Sequence, residues 1–232
     1  MSELPTPGRA VVRPGLSRSQ EDYLKQIFLL AEDGGGRVST RDLSSRLEVR
    51  PASVTGMVQR LAEQGLVVHE PYRGVRLTDA GRKVALEMLR HHRLLETFLE
   101  RVLGYSWDEV HDEAERLEHV ISERFEARIA RALGHPTHDP HGDPIPDAEL
   151  RLPPAPEQVA LTDLAVGRRG VVARVGSQRR DSLELLSRFG LVPGATVEVV
   201  GVDQRGIRVA VGGRTRLLPT AIAEQAWIEE GE

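Results

Sequence analysis

Apolar side chains recur at helical spacing through the first half of this chain and at strand spacing through its last third. Tyr23, Ile27, Leu30 and Ala31 define one face of a first helix, with Ser19 as its N-cap and an end near Glu32, before Gly34-Gly35-Gly36. A short helix over Thr40–Leu47 is expected behind a Ser39 cap, with Asp42 three residues on. Pro51 suits the first turn of a third helix ending near Gly65, with Val54, Val58 and Leu61 on one side. Leu66–His69 and Val75–Leu77 read as two short strands around Tyr72-Arg73-Gly74. Thr78 caps a long helix from Asp79 to about Leu103. The spacing of Ser106 and Glu109 predicts a capping box opening another helix that runs to about Leu133. The proline-rich stretch from Gly134 to Pro156 reads as a linker with local turns. From Leu161 the period shortens to 2. Strands are expected at Gly170–Val175, Thr196–Val200, Gly206–Val211 and Thr215–Leu218, with a helical turn from Leu183 to Phe189. That pattern fits a small SH3-like β-barrel.

The expected architecture is therefore mainly α. It has a flexible arm (1–16), a winged helix-turn-helix domain (17–78), a helical domain (79–150), a linker (151–160) and the SH3-like domain (161–232).

Composition narrows the function classes. The 232 residues carry no cysteine, which excludes thiolate zinc sites, iron–sulfur clusters and disulfides. The sequence has no apolar run of membrane-spanning length and no signal-peptide pattern, so a cytoplasmic protein that does not engage membranes is expected. The net charge of −4 is unevenly distributed. Residues 1–83 carry +3, residues 84–150 carry −8, and residues 151–232 carry +1. The middle segment is suited to cations, and the first is free to approach phosphates.

Helix, short helix, turn, helix, hairpin is the order of a DNA reader. The third helix presents Ser53, Thr55, Gly56 and Gln59, small polar groups that let a helix lie close to base edges. Arg50 and Arg60 suit phosphates or a guanine edge, and Arg73 suits a phosphate flanking the wing. Thr40 and Arg41, at the start of the short helix, complete the expected contact set. The competing reading is a helical hairpin with a solvated polar face.

Chemistry of a different kind lies downstream. His111, Glu115, Glu118 and His119, in the run HDEAERLEH, fall within about a quarter-turn of one helix. They flank an apolar stripe of Val110, Ala114, Leu117, Ile121 and Phe125, where an unpaired carboxylate is costly. His92 and Glu96 sit four apart on the preceding helix, and packing of the two would face the ligand pairs toward each other. Carboxylates and imidazoles without thiolate suit a hard-to-borderline divalent metal. The competing reading is a surface ion-pair network with Arg93 and Arg116.

Over nearly its whole length the chain resembles the diphtheria-toxin-repressor and manganese-transport-regulator family of metal-activated repressors. The resemblance rests on DYLKQI at Asp22–Ile27, PASVTGMVQRL, YRGVRLTDAGR at Tyr72–Arg82, HHRLLETFL at His91–Leu99, VHDEAERLEHVIS at Val110–Ser122 and HGDPIP at His141–Pro146. It implies a primary metal site at Asp22, Glu115, Glu118 and His119, and an ancillary site at His92, Glu96 and His111. Iron-responsive members carry Met and Cys where this chain has Asp22 and Glu115; manganese-responsive members carry Asp and Glu. The manganese branch's second ion uses a Glu where this chain has Lys25, and the iron branch's barrel ligands fall near Arg174 and Ser177.

The resemblance thus implies a homodimeric, non-enzymatic regulator that binds Mn²⁺ or Fe²⁺, with the balance toward manganese. It would grip palindromic double-stranded operators when loaded and repress metal-uptake genes. Two rivals remain: a metal-independent winged-helix regulator sensing an organic ligand, and a metallohydrolase built on the Glu/His helices.

Overall fold

The computed structural model describes residues 15–34, 36–70, 73–176 and 179–231. The expected arm therefore lies almost wholly outside the described residues, as do Tyr72 and Ser177. The chain divides into two compact units. The first contains the N-terminal domain through His91, residues His119–Glu123 and Pro146–Arg151. The second contains His92–Glu118, Arg124–Ile145 and Leu152–Glu232.

In the first unit, α1 (Arg18–Gly34), α2 (Thr40–Arg46) and α3 (Pro51–Glu63) precede a hairpin of β1 (Val67–Glu70) and β2 (Gly74–Leu77). The N-cap of α1 is Ser17, not Ser19: Ser17 Oγ accepts from Gln20 N, and Gln20 Oε1 accepts from Ser17 N at 2.9 Å. This reciprocal pair is a capping box that starts the helix at Arg18, so Ser19 lies inside it. Ser39 caps α2 as expected, accepting from Asp42 N at 3.0 Å. Leu24, Ile27, Phe28, Leu43, Val54, Val58 and Leu61 are buried together with Val67 and Val75 of the hairpin. Val38 forms an isolated bridge with Val75, tying the segment before α2 to the wing. Gly74, at φ +93°, stands where a Cβ would come within 2.5 Å of the Val38 carbonyl oxygen, so a larger residue there would push the wing away.

Thr78 caps the 25-residue α4 (Asp79–Leu103), accepting from Gly81 N at 3.1 Å. The next predicted helix is not continuous. It is α5 (Val110–Leu117), a turn through Glu118–Val120, and α6 (Glu123–Ala132). Ser106 and Glu109 join side chains at 2.7 Å and close a turn ahead of α5 rather than capping it. The break coincides with the β-branched pair Val120-Ile121 and then Ser122, residues that favour leaving a helix and starting another. The apolar stripe accordingly holds for Val110 and Ala114, whereas Phe125 is exposed.

In the second unit, the supposed linker is a buried loop. It has no helix or strand over 134–145, yet Asp139, His141, Asp143 and Ile145 are buried. Asp139 Oδ1 accepts from the backbone N–H groups of His141 and Asp143 at 2.8 and 2.9 Å, supplying the turn hydrogen bonds that regular structure would provide. The C-terminal domain comprises β3 (Val159–Ala160), β4 (Arg169–Val175), α7 (Arg180–Phe189), β5 (Thr196–Asp203), β6 (Gly206–Val211), β7 (Arg214–Leu218), α8 (Thr220–Ala223) and β8 (Ala226–Glu230). Its strands form one antiparallel sheet in the order β3-β8-β4-β5-β6-β7. Among the described residues β3 and β7 do not pair, so the SH3-like sheet stays open instead of closing as a barrel. Its core is aliphatic, from Leu161, Val172, Leu183, Leu186, Val197, Val199, Val209 and Ile228, and Trp107 from the turn before α5 packs against it. Among the described residues, no helix is long and apolar enough to cross a membrane.

Candidate metal centre and DNA-reading surface

One turn of α4 separates His92 from Glu96, so their side chains leave the same face of the helix. In the second unit they meet His111 from α5. His92 Nε2 lies 2.9 Å from Glu96 Oε1 and 3.0 Å from His111 Nδ1, and His111 Nδ1 lies 3.3 Å from Glu96 Oε1. Neighbouring donors in an octahedral complex with bonds of about 2.1 Å sit about 3 Å apart, so the three atoms are spaced as one face of such a site. On its other side, His92 Nδ1 is 2.5 Å from Glu118 Oε2. A neutral imidazole has one N–H. If Nδ1 gives it to Glu118, the lone pair on Nε2 faces a carboxylate oxygen in a buried site, and that arrangement requires a proton or a cation. His92 also approaches Glu115 and Glu118 together, so two of the three carboxylates predicted for the primary set converge on its ring.

Glu96 serves a second group with its other oxygen. Glu96 Oε2, Asp139 Oδ2 and His141 Nδ1 all lie within 4.8 Å of one another, and each of these buried atoms lacks a hydrogen-bond partner among the described residues. His141 Nε2 is 2.8 Å from the Trp107 carbonyl, to which it donates, leaving Nδ1 directed toward Glu96 Oε2 at 3.6 Å. Burial pushes the Glu96 carboxyl up, but the adjacent His92, His111 and His141 outweigh burial and hold it well below the usual range. Burial, with the charges of Asp143 and Glu96, drives Asp139 well above its ordinary value. Burial lowers His141, but the charges of Glu96 and Asp139 prevail and bring it to about 9. Such opposed shifts are expected where anionic and imidazole donors are packed without enough counter-charge. Arg93 supplies part of it, with Nε 3.7 Å from Asp139 Oδ2 and Nη2 3.9 Å from Asp143 Oδ1. Asp139 and His141 were not singled out as ligands from the sequence. Their loop lacks helical spacing, and of the two only His141 lies in the HGDPIP motif.

In the first unit, His119 Nε2 lies 2.9 Å from Asp22 Oδ1 and its Nδ1 lies 2.7 Å from Glu21 Oε2. Asp22 is half-buried and Glu21 buried, consecutive residues on α1. The hydrogen bond to Glu21 assigns the proton to Nδ1, so Nε2 turns its lone pair toward the Asp22 carboxylate. A further triplet, Glu87, His91 and Glu123, is looser, with His91 Nε2 4.0 Å from Glu123 Oε1. Lys25 is buried.

The predicted DNA contacts lie in the first unit. Ser53, Thr55, Gln59 and Arg60 are exposed on α3, with Arg50 exposed at its N-cap. Thr55 Oγ1 donates to the Pro51 carbonyl at 3.1 Å, and Arg60 Nε to the Gly56 carbonyl at 3.3 Å. Thr40 is half-buried at the start of α2, and Arg41 is exposed beside it. Arg73 is 75% exposed, and the nearest carboxylate oxygen to it, Glu70 Oε2, is 3.8 Å away. These side chains extend from a buried apolar scaffold with little competition from acidic partners.

Comparison with known proteins agrees with this division. Three family models match in succession. They are the iron dependent repressor N-terminal DNA binding domain over residues 15–75, the iron dependent repressor metal binding and dimerisation domain over 78–147, and the FeoA domain over 159–230. The iron-dependent repressor IdeR of Mycobacterium tuberculosis (strain ATCC 25618 / H37Rv) is 34% identical over 222 residues, 90% of this chain and 96% of that protein. The regulator MntR of Bacillus pumilus (strain SAFR-032) is 42% identical over 105 residues, 45% of this chain and 71% of that protein. A solved manganese-dependent transcriptional repressor in complex with manganese superimposes with a TM-score of 0.84 at 42% identity, covering 91% of this chain and 99% of its own. The IdeR structure from T. acidophilum gives a TM-score of 0.76 at 31% identity, covering 94% of this chain and 99% of its own. A DNA-reading head, a histidine- and carboxylate-rich helical centre and a FeoA domain, matched in order and almost end to end, place this chain in the iron-dependent repressor family of metal-dependent transcriptional regulators.

Proposed function

We propose that the protein is a metal-activated transcriptional repressor that responds to manganese in preference to iron. The observation that carries the metal reading is the buried convergence of His92 Nε2, Glu96 Oε1 and His111 Nδ1 at 2.9–3.3 Å. These residues fit a divalent ion: the donor set is oxygen and imidazole, and its atoms converge at 2.9–3.3 Å. The residues that would hold a primary ion are Asp22, Glu115, Glu118 and His119, and those that would hold an ancillary ion are His92, Glu96 and His111, with Asp139 and His141 adding donors on the far side of Glu96. When bound, the ion supplies the positive charge that lets these carboxylates converge.

The chain's own residues do the rest. Glu21 holds His119 in the tautomer that presents Nε2, and Glu118 does the same for His92 through Nδ1. The preference for manganese follows from Asp22 and Glu115, which offer hard oxygen where sulfur donors would favour later metals. Two copies form a two-fold homodimer through the helical domain, and their α3 helices read successive major grooves about 34 Å apart on imperfect palindromes. Metal binding then appears as a population shift toward the DNA-competent dimer, which represses metal-uptake genes in the cytoplasm.

Operator fragments selected from a random duplex pool by the Mn²⁺-loaded protein provide the test. The protein should retard them in a gel with Mn²⁺ and release them with a chelator. Equal retardation under both conditions would favour a metal-independent winged-helix regulator and remove the proposal.

A further inference from the structure

In the C-terminal domain β7 ends the sheet: it pairs with β6 on one side, and among the described residues no strand covers its other side. The β6–β7 hairpin turns through Gly212 and Gly213, at φ +55° and +75°, a two-residue turn whose flanking residues form a hydrogen-bonded pair. Bonding alternates along the ladder from Val211–Arg214, so Thr215 and Leu217 direct their N–H and C=O groups away from β6. Side chains alternate too. Arg214, Arg216 and Leu218 stand opposite Val211, Val209 and Ile207, all buried, so they lie on the core face of the sheet. Two arginines thus occupy core-face positions at an open edge. They line a cleft of about 570 Å³ with Phe189, Thr196 and Val211. A guanidinium N–H of Arg216 donates to the Arg188 carbonyl in the last turn of α7, which fixes its place, and Arg214 is exposed. Elsewhere on the sheet Arg169 pairs with Glu198 at 2.7 Å, and Arg208 lies 3.8 Å from Asp203. Among the described residues, no carboxylate lies within ion-pair distance of Arg214 or Arg216.

We propose that this edge is a docking site for an extended segment of a partner protein that carries carboxylates at alternate positions. An added antiparallel strand bonds to the outward groups of Thr215 and Leu217. Its residues opposite Arg214 and Arg216 then form non-hydrogen-bonded pairs, the closer of the two kinds. Those residues stand two apart, about 7 Å, and leave the strand on the same face as the guanidiniums. A Glu or Asp at each makes an opposite-charge cross-strand pair, and a guanidinium can hold a carboxylate through two parallel hydrogen bonds. The residue between them falls on the outer face beside Leu217, an exposed apolar side chain, and suits valine. A nucleic-acid backbone matches less of the site, because phosphates take up the charge but leave the strand's N–H and C=O groups unused. Charges at a sheet edge also deter promiscuous pairing, so a strand bearing carboxylates in this register is the kind that Arg214 and Arg216 admit. The proposal does not depend on the metal reading above.

The test uses full-length protein with a chelator present, so that neither metal uptake nor operator binding enters. It follows the anisotropy of a fluorescein-labelled peptide, Thr-Val-Glu-Val-Glu-Thr. The peptide should bind, and N-methylation of its two valines, whose amides face the edge, should abolish binding with the protein untouched. A peptide of the same composition with adjacent glutamates should bind about 10-fold more weakly. Arg214→Glu should weaken binding by about 10-fold, whereas Arg205→Glu, the same charge change on the exposed β5–β6 turn, should leave it unaltered. Should Arg214→Glu fail to fold by circular dichroism, the N-methylated and rearranged peptides decide the matter. No binding of the parent peptide leaves the two arginines as edge guards and overturns the proposal. Equal weakening by Arg205→Glu overturns it as well, as does displacement of the peptide by inorganic phosphate or a non-operator DNA duplex, which would make the cleft a phosphate site.

Discussion

Glu21 Oε2 accepts the Nδ1 hydrogen bond of His119 at 2.7 Å across 98 residues of sequence. Glu21 is a buried carboxylate one residue before a proposed ligand, and its partner is another proposed ligand. Replacing it by Gln keeps the shape but removes the charge that fixes the tautomer and raises the basicity of Nε2. Glu21→Gln should weaken Mn²⁺ uptake at the primary set by about 10- to 100-fold while leaving uptake at His92, Glu96 and His111 intact. Calorimetric titration separates the two classes, and equal loss at both would show that Glu21 acts through folding instead.

Asp22→Ala should abolish metal-dependent operator binding while leaving the dimer intact. Light scattering checks the dimer, and a gel shift across a Mn²⁺ series checks the switch. If the variant still needs metal at the parental concentration, Asp22 plays no part in switching.

Selectivity should follow donor softness. Asp22→Met combined with Glu115→Cys replaces two hard oxygens by sulfur and should move the activation order from Mn²⁺ toward Fe²⁺ and later metals. The readout is the concentration of each metal at half-maximal operator retention. An unaltered ranking would sink the coordination argument.

On the DNA side, Gln59 and Arg50 should separate by the kind of loss. Gln59→Ala should cost about 1–3 kcal/mol on the preferred operator and less on one changed at a single base pair. Arg50→Ala should weaken all sequences alike and reduce the salt dependence by about one counterion. Competition against operator variants at several salt concentrations distinguishes them. A uniform loss for Gln59→Ala would remove it from base reading.

Legibility in the sequence tracked how local each signal is. Ser39–Asp42, Pro51 and Thr78 act through neighbours within four residues, so the helix starts at Thr40, Pro51 and Asp79 were readable. His92 and Glu96 were readable because one helix sets their spacing, and His111 because the next helix repeats it. The turn at Glu118–Val120 was obscured because HDEAERLEH continues the helical period through His119, two residues past the end of α5 at Leu117. Asp139 and His141 were hidden for the opposite reason: their buried positions come from side-chain-to-backbone bonds and from β4, contacts that no periodicity encodes. The final strand Ala226–Glu230 was missed because only two inward residues, Ala226 and Ile228, announce it, and its pairing partner β4 lies more than fifty residues earlier. Sheet closure likewise depends on edges far apart in the chain.

Every donor atom in the clusters at Glu96 and His119 is nitrogen or oxygen, and the chain contains no thiol. Peroxide therefore finds no sulfenate to make among these ligands. In the proposed sensing role these side chains would outlast an oxidant burst that converts a cysteine thiolate to its oxyacids.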